Sequence, residues 1–222
     1  MAMIESFDSR EEMTRAARDA VCARLRAGIS DRGQASMALS GGSTPRPLYE
    51  DLSQQSIEWN RTSVTLADER LAPEDSGGRN EELVRKHFLR DKAAAAAFTP
   101  LIGTKDLHGC HMPFDVTILG MGKDGHTASL FPHSPGLKEA LEAAPEDICE
   151  VTPDPLPKDA PWKRLTLSRS GILSSRLILL LVTGREKRDV LEEAMRQGQV
   201  EEMPVRAVLH APDAPLRVLY AD

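Results

Sequence analysis

The chain has 222 residues, 41% of them hydrophobic and 28% charged, the balance of an ordinary globular protein large enough to bury a core without disulfide or metal staples. Its formal net charge of -6 argues against nucleic acid as the main partner, and an acidic chain that binds an anion must gather its cations locally. Three cysteines (Cys22, Cys110, Cys149) form no CxxC pair, the first residues hold no apolar signal core, and no apolar run approaches the ~20 residues of a membrane span, so a cytoplasmic protein with reduced thiols and no membrane partner is expected.

Ser9-Arg10-Glu11-Glu12 has the form of a capping box, and Met13, Ala16, Ala17, Ala20, Val21 and Leu25 then recur at helical spacing, with Gly28 able to close the helix. Ala35–Leu39 reads as a buried strand, followed by the glycine loop 40–45 and a helix reaching Leu52. Strands are expected at 64–67, 114–119, 165–167, 177–182 and 216–220, and helices at 80–89 and 186–197. The Pro-rich stretch 151–161 reads as a surface loop, and 93–97 carries no chemistry. Apolar strands alternating with amphipathic helices imply one α/β domain over 1–222, with a mainly parallel, Rossmann-like sheet covered by helices on both faces. Ligands of such sheets bind outside the carboxyl ends of the strands, where several polar clusters of this sequence fall.

The first cluster is Ser40-Gly41-Gly42-Ser43-Thr44-Pro45. Gly41 and Gly42 let the backbone approach a ligand, Ser43 and Thr44 add hydroxyls, and the next helix offers free N–H groups, which together can cradle a phosphate. The same residues suit a glycine turn with a Ser/Thr cap, and the Walker pattern is absent. Asp68-Glu69-Arg70 ends the second strand and can supply a base, a ligand or solvated charge; Asn80 can cap a helix or donate to a ligand.

The third cluster, Gly120-Met121-Gly122-Lys123-Asp124-Gly125-His126, formally matches the dinucleotide fingerprint. That reading is rejected, because Pro132 interrupts the long helix the fingerprint needs and nothing marks a βαβ unit with an acidic residue after its second strand. What remains is Asp124 and His126 in a glycine-rich turn: either a general base oriented by a carboxylate or a solvated loop histidine. Arg176 precedes the strand at 177–182, and Lys187 sits in the first turn of the following helix, where a lysine opposes the helix dipole unless it faces an anion. No HExxH or CxxC spacing supports a metal site, and no GxSxG elbow supports a serine nucleophile.

Taken in order, residues 39–45 (LSGGSTP), 67–70 (ADER), 115–132 (DVTILGMGKDGHTASLFP), 164–168 (RLTLS) and 182–187 (VTGREK) resemble the 6-phosphogluconolactonase family, within the wider group that includes glucosamine-6-phosphate deaminase. The resemblance implies hydrolysis of 6-phospho-D-glucono-1,5-lactone without cofactor or metal. It assigns His126 as general base with Asp124 and Asp68 as the catalytic carboxylates, and Arg70 and Asn80 on the substrate. It further assigns Gly41, Gly42, Ser43, Thr44, Arg176 and Lys187 to the phosphate. A sugar-phosphate lactone is the expected partner of a monomer or small homo-oligomer. The sequence departs from the family after Arg70, where LAPEDSGGRN carries Arg79 in place of a serine. A deaminase-like enzyme that moves a proton with Asp68 is one rival, and a non-catalytic sugar-phosphate-binding regulator another. TASLFP after DGH favours the lactonase branch, and the Asp124/His126 pair is superfluous in a pure sensor.

Overall fold

The computed structural model describes residues 3–101, 107 and 109–222. Helix α1 (Arg10–Arg32) starts where the Ser9 hydroxyl accepts from the Glu12 N–H at 3.2 Å, as the capping box predicts. It runs past Gly28 and ends at Gly33, whose φ of 77° supplies the left-handed cap. Gly28 is instead a close-approach residue, because a Cβ there would strike the side chains of Arg32 and Asp115.

Seven parallel strands make the main sheet: β1 (Ile4–Ser6), β2 (Ala35–Leu39), β3 (Thr62–Leu66), β5 (Ala97–Phe98), β6 (Val116–Gly120), β9 (Ile178–Thr183) and β10 (Leu216–Ala221). Their order across the sheet is β1-β10-β9-β6-β2-β3-β5. Every residue of β2 and β3 is buried, which a sheet achieves only when both faces are covered. The helices α2 (Arg46–Ser53), α3 (Asn80–His87), α4 (Leu137–Glu142), α5 (Arg169–Leu173), α6 (Arg185–Ala194) and α7 (Arg206–Leu209) complete the fold. From β2 the chain moves outward to β3 and β5, then returns to place β6 on the other side of β2. The topological switch point therefore lies between β2 and β6, where a crevice opens at the carboxyl ends.

The main sheet is parallel as expected, and a second, smaller sheet stands beside it. β4 (Asp68–Arg70), β8 (Arg164–Leu167) and β7 (Ile148–Val151) form a three-stranded antiparallel sheet, with Asp68 opposite Thr166 and Arg70 opposite Arg164. The Asp68-Glu69-Arg70 cluster is thus a strand in its own right, one residue beyond β3, and not a turn. The short elements β1, β5 and β7 went unpredicted because two to four residues carry no readable period. The stretch after Val151 is a loop up to β8, as its prolines suggest.

Candidate active site

The crevice at the switch point is a cleft of about 240 Å³ lined by the loop from Ser40 to Pro45, by Asp68, Arg70 and Asn80, by Gly120, Met121, Gly122, His126 and Ala128, and by Lys187. Adjacent strands supply these groups. The end of β2 gives the glycine loop, β6 gives the His126 turn, β9 leads through Gly184 into Lys187 on α6, and β3 leads directly into β4.

The His126 turn is closed by two backbone hydrogen bonds, from Gly122 N–H to the His126 carbonyl at 2.8 Å and from Gly125 N–H to the Gly122 carbonyl at 3.2 Å. Gly125 has φ 77°, which a side chain would resist. No helix follows until Leu137, consistent with the rejection of the dinucleotide reading. His126 Nδ1 lies 2.5 Å from Asp124 Oδ1, which also accepts the His126 backbone N–H at 3.1 Å. Burial works against the Asp124 charge, but the His126 hydrogen bond and charge and the backbone donors outweigh it and hold the carboxyl below its ordinary range. The carboxylate therefore takes Nδ1–H and leaves Nε2 as the basic nitrogen. On its other side the imidazole stacks on Phe131, ring centres 4.2 Å apart at 28°. A Cβ on Gly122 would occupy the space of the imidazole, so glycine at this position is a condition of the His126 geometry.

The glycine loop and the carboxyl end of β9 meet across β6: the Thr44 and Thr183 hydroxyls are 3.3 Å apart. Gly42 has φ 93° and leaves open space where a Cβ would stand. Burial, with Lys123 nearby, lowers the pKa of Lys187, so its ammonium is short of solvation and faces the cleft. Ser40 opens the glycine cluster but has no role assigned to it from the sequence. It is 5% exposed, lines the cleft, and its hydroxyl makes no hydrogen bond among the described residues.

Glu69, in the sequence one member of an acidic cluster with no role of its own, organises one wall. It is fully buried, and it accepts the backbone N–H groups of Arg70 at 2.5 Å, Asn80 at 2.6 Å and Glu81 at 2.7 Å. Arg79, at the start of α3, provides no side-chain cap, so Glu69 caps that helix from the neighbouring strand. Asn80 in turn donates to the Asp68 carbonyl at 2.9 Å and presses against Gly41, where a Cβ would overlap its amide oxygen. The substituted Arg79 points away from the cleft lining: it donates to the Ala72 carbonyl at 2.7 Å and pairs with Glu74 at 3.4 Å, bracing the 73–80 loop.

Burial pushes the Glu69 carboxyl from an ordinary 4.5 up to about 7, against three N–H donors that favour the anion. The folded protein then keeps this proton between about pH 4.5 and 7 while the unfolded chain has released it. The stability tied to Glu69 is full below that window and is lost as pH rises through it, by about 3 kcal/mol over the whole span. Urea unfolding at about pH 5 and about pH 7.5 should show this fall, and Glu69→Gln should flatten it. An equal slope in the variant would assign the effect to another group.

Arg176 requires a correction. It stands before β9, and in a parallel sheet that is the amino edge, opposite the cleft. There it lines a separate small cavity with Arg32, Ser36 and His111 and pairs with Asp115 at 3.7 Å. Asp115 also accepts from Arg32 and from the Ser36 backbone N–H at 3.0 Å. The two arginines tie α1, β2 and β9 together through one buried carboxylate, away from the substrate cleft. The other predicted residues, Gly41, Gly42, Ser43, Thr44, Asp68, Arg70, Asn80, His126 and Lys187, all line the cleft, and Asp124 reaches it through His126. Among the described residues no three His, Cys, Asp or Glu side chains gather to hold a metal ion, and no helix is long and apolar enough to cross a membrane.

Residues 8–216 match the family of glucosamine-6-phosphate isomerases/6-phosphogluconolactonase. The 6-phosphogluconolactonase of Pseudomonas aeruginosa is 38% identical, with 94% of this chain and 92% of that protein covered. That of Rhizobium meliloti is 36% identical with 99% of each covered. The crystal structure of a 6-phosphogluconolactonase from Shewanella baltica OS155 superposes with a TM-score of 0.92 at 36% identity, covering 100% of this chain and 98% of the other.

Proposed function

The chain belongs to the glucosamine-6-phosphate isomerase/6-phosphogluconolactonase family, and we propose that it carries out its lactonase reaction in the cleft at the β2–β6 switch point, with His126 as general base. The activity is 6-phosphogluconolactonase: hydrolysis of 6-phospho-D-glucono-1,5-lactone to 6-phospho-D-gluconate in the pentose phosphate pathway. The observation that carries the mechanism is the 2.5 Å contact between His126 and Asp124 in the cleft that also holds the glycine loop and Lys187.

A δ-lactone is an activated ester, so water attacks it directly once deprotonated. His126 Nε2 takes a proton from a water molecule, and the hydroxide adds to C1. Negative charge moves onto the carbonyl oxygen, where Arg70 and cleft backbone N–H groups stabilise it. The intermediate collapses with cleavage of the bond from C1 to the ring oxygen, and the imidazolium returns its proton to that oxygen. One water is consumed and no covalent enzyme intermediate forms. Asp124 fixes the imidazole and balances its charge while it is protonated. Asp68 and Asn80 hold sugar hydroxyls, while Gly41, Gly42, Ser43, Thr44 and Lys187 hold the 6-phosphate. The phosphate takes no part in the bond change; its binding energy positions C1 before the base. Its free thiols Cys22, Cys110 and Cys149 suit a cytoplasmic setting.

The test is hydrolysis of freshly prepared 6-phosphoglucono-1,5-lactone, coupled to 6-phosphogluconate dehydrogenase, with the spontaneous rate subtracted. An enzyme-dependent rate is expected. Ammonia release from glucosamine 6-phosphate, or saturable sugar-phosphate binding without turnover, would replace this reading.

A further inference from the structure

Asp68 and His126 reach the cleft from separate parts of the fold, Asp68 from the antiparallel sheet and His126 from the turn after β6. One side chain joins them. Ser129, three residues beyond His126, donates its hydroxyl to Asp68 Oδ2 at 2.6 Å, and its backbone N–H reaches Thr166 Oγ1 at 3.3 Å. Thr166 is the residue opposite Asp68 across the strand pair. Ser129 is 1% exposed, so water does not compete for its hydroxyl. The chain aims Ser129 at Asp68 by passing through Ala128 at φ 47°, a left-handed conformation that is unfavourable for a residue with a Cβ. Such a departure persists only where the surrounding structure requires it, and here the next residue is the one that reaches the carboxylate.

We propose that Ser129 is a positioning residue for lactone hydrolysis: it locks the Asp68 carboxylate against the His126 turn, so that Asp68 meets a sugar hydroxyl as a fixed hydrogen-bond acceptor. The proposal rests on the reading that Asp68 faces the substrate. A carboxylate accepts through two oxygens, and with Oδ2 committed to Ser129 the side chain has one orientation instead of several. The Asn80 amide restrains the same residue through its carbonyl. Both contacts hold the hydroxyl-binding carboxylate at a constant separation from the His126 turn, so it meets the sugar hydroxyl in the same place in the ground and transition states.

The experiment is a double-mutant cycle of Ser129→Ala and Asp68→Asn, read as kcat and KM for 6-phosphogluconolactone. Ser129→Ala should lower kcat/KM about 10-fold, chiefly through KM, because a contact to a non-reacting hydroxyl is made in the ground and transition states alike. The double variant should be no worse than Asp68→Asn alone, since both changes break one contact. Ser129→Cys keeps the shape with a weaker donor and should recover part of the loss, which a merely structural role would not predict. A silent Ser129→Ala, or additive losses, would overturn the proposal while leaving Asp68 in place. A silent Asp68→Asn would overturn the reading of Asp68 itself.

Discussion

Replacing His126 with alanine is expected to lower kcat for 6-phosphogluconolactone hydrolysis by about 10²–10⁴-fold, the usual contribution of a positioned general base. The expectation follows from geometry. Asp124 holds Nδ1 at 2.5 Å and Phe131 supports the ring face, so the imidazole has a defined plane and tautomer. Truncation leaves the rest of the cleft intact, and residual catalysis should come from phosphate binding and the oxyanion donors. A second substitution reaches the same base without touching it. Gly122→Ala places a methyl group in the imidazole's space, so the ring must move, and a shift of about 1 Å can cost on the order of 10² in rate. The Gly122→Ala loss should appear in kcat with the melting temperature nearly unchanged. If His126→Ala retained kcat near that of the parent enzyme, another group would have to take the water's proton.

Lys187→Ala is expected to reduce kcat/KM for the phosphorylated lactone by roughly 10²-fold, the scale for removing one partner of a desolvated charge pair. Burial and Lys123 leave the Lys187 ammonium under-solvated, a deficit that the phosphate dianion of the proposed substrate would make good. Unphosphorylated glucono-1,5-lactone should react at nearly the same rate with parent and variant, since it makes no use of the lysine. Arg176→Ala is the matched control. It removes a cation from the opposite edge of the sheet and should leave kcat/KM unchanged while costing ~1 kcal/mol of stability, as the Asp115 pair weakens. Equal losses with the two lactones would move the phosphate site away from Lys187, and a kinetic defect in Arg176→Ala would return Arg176 to the substrate site.

Much of the fold and site was readable locally. The Ser9 cap, the apolar runs of β2, β6 and β9, and the glycine turns at Gly41, Gly42 and Gly125 each state their structure within a few residues, because periodicity, capping and positive φ are properties of short segments. The family motifs added the proposed roles of His126, Asp124 and Lys187, and the strand-end positions of those residues pointed to one edge of a sheet. Arg176 was open to the same reasoning, since the residue before a parallel strand lies at the amino edge, but resemblance alone had placed it on the phosphate. What tertiary structure decided are the pairings between distant segments. β4, β7 and β8 form their own sheet, Glu69 caps a helix eleven residues on, and Ser129 reaches Asp68 sixty-one residues away. Each depends on a buried polar group finding its partner, and the need to satisfy such a group is legible in a sequence only once the fold shows that it is buried.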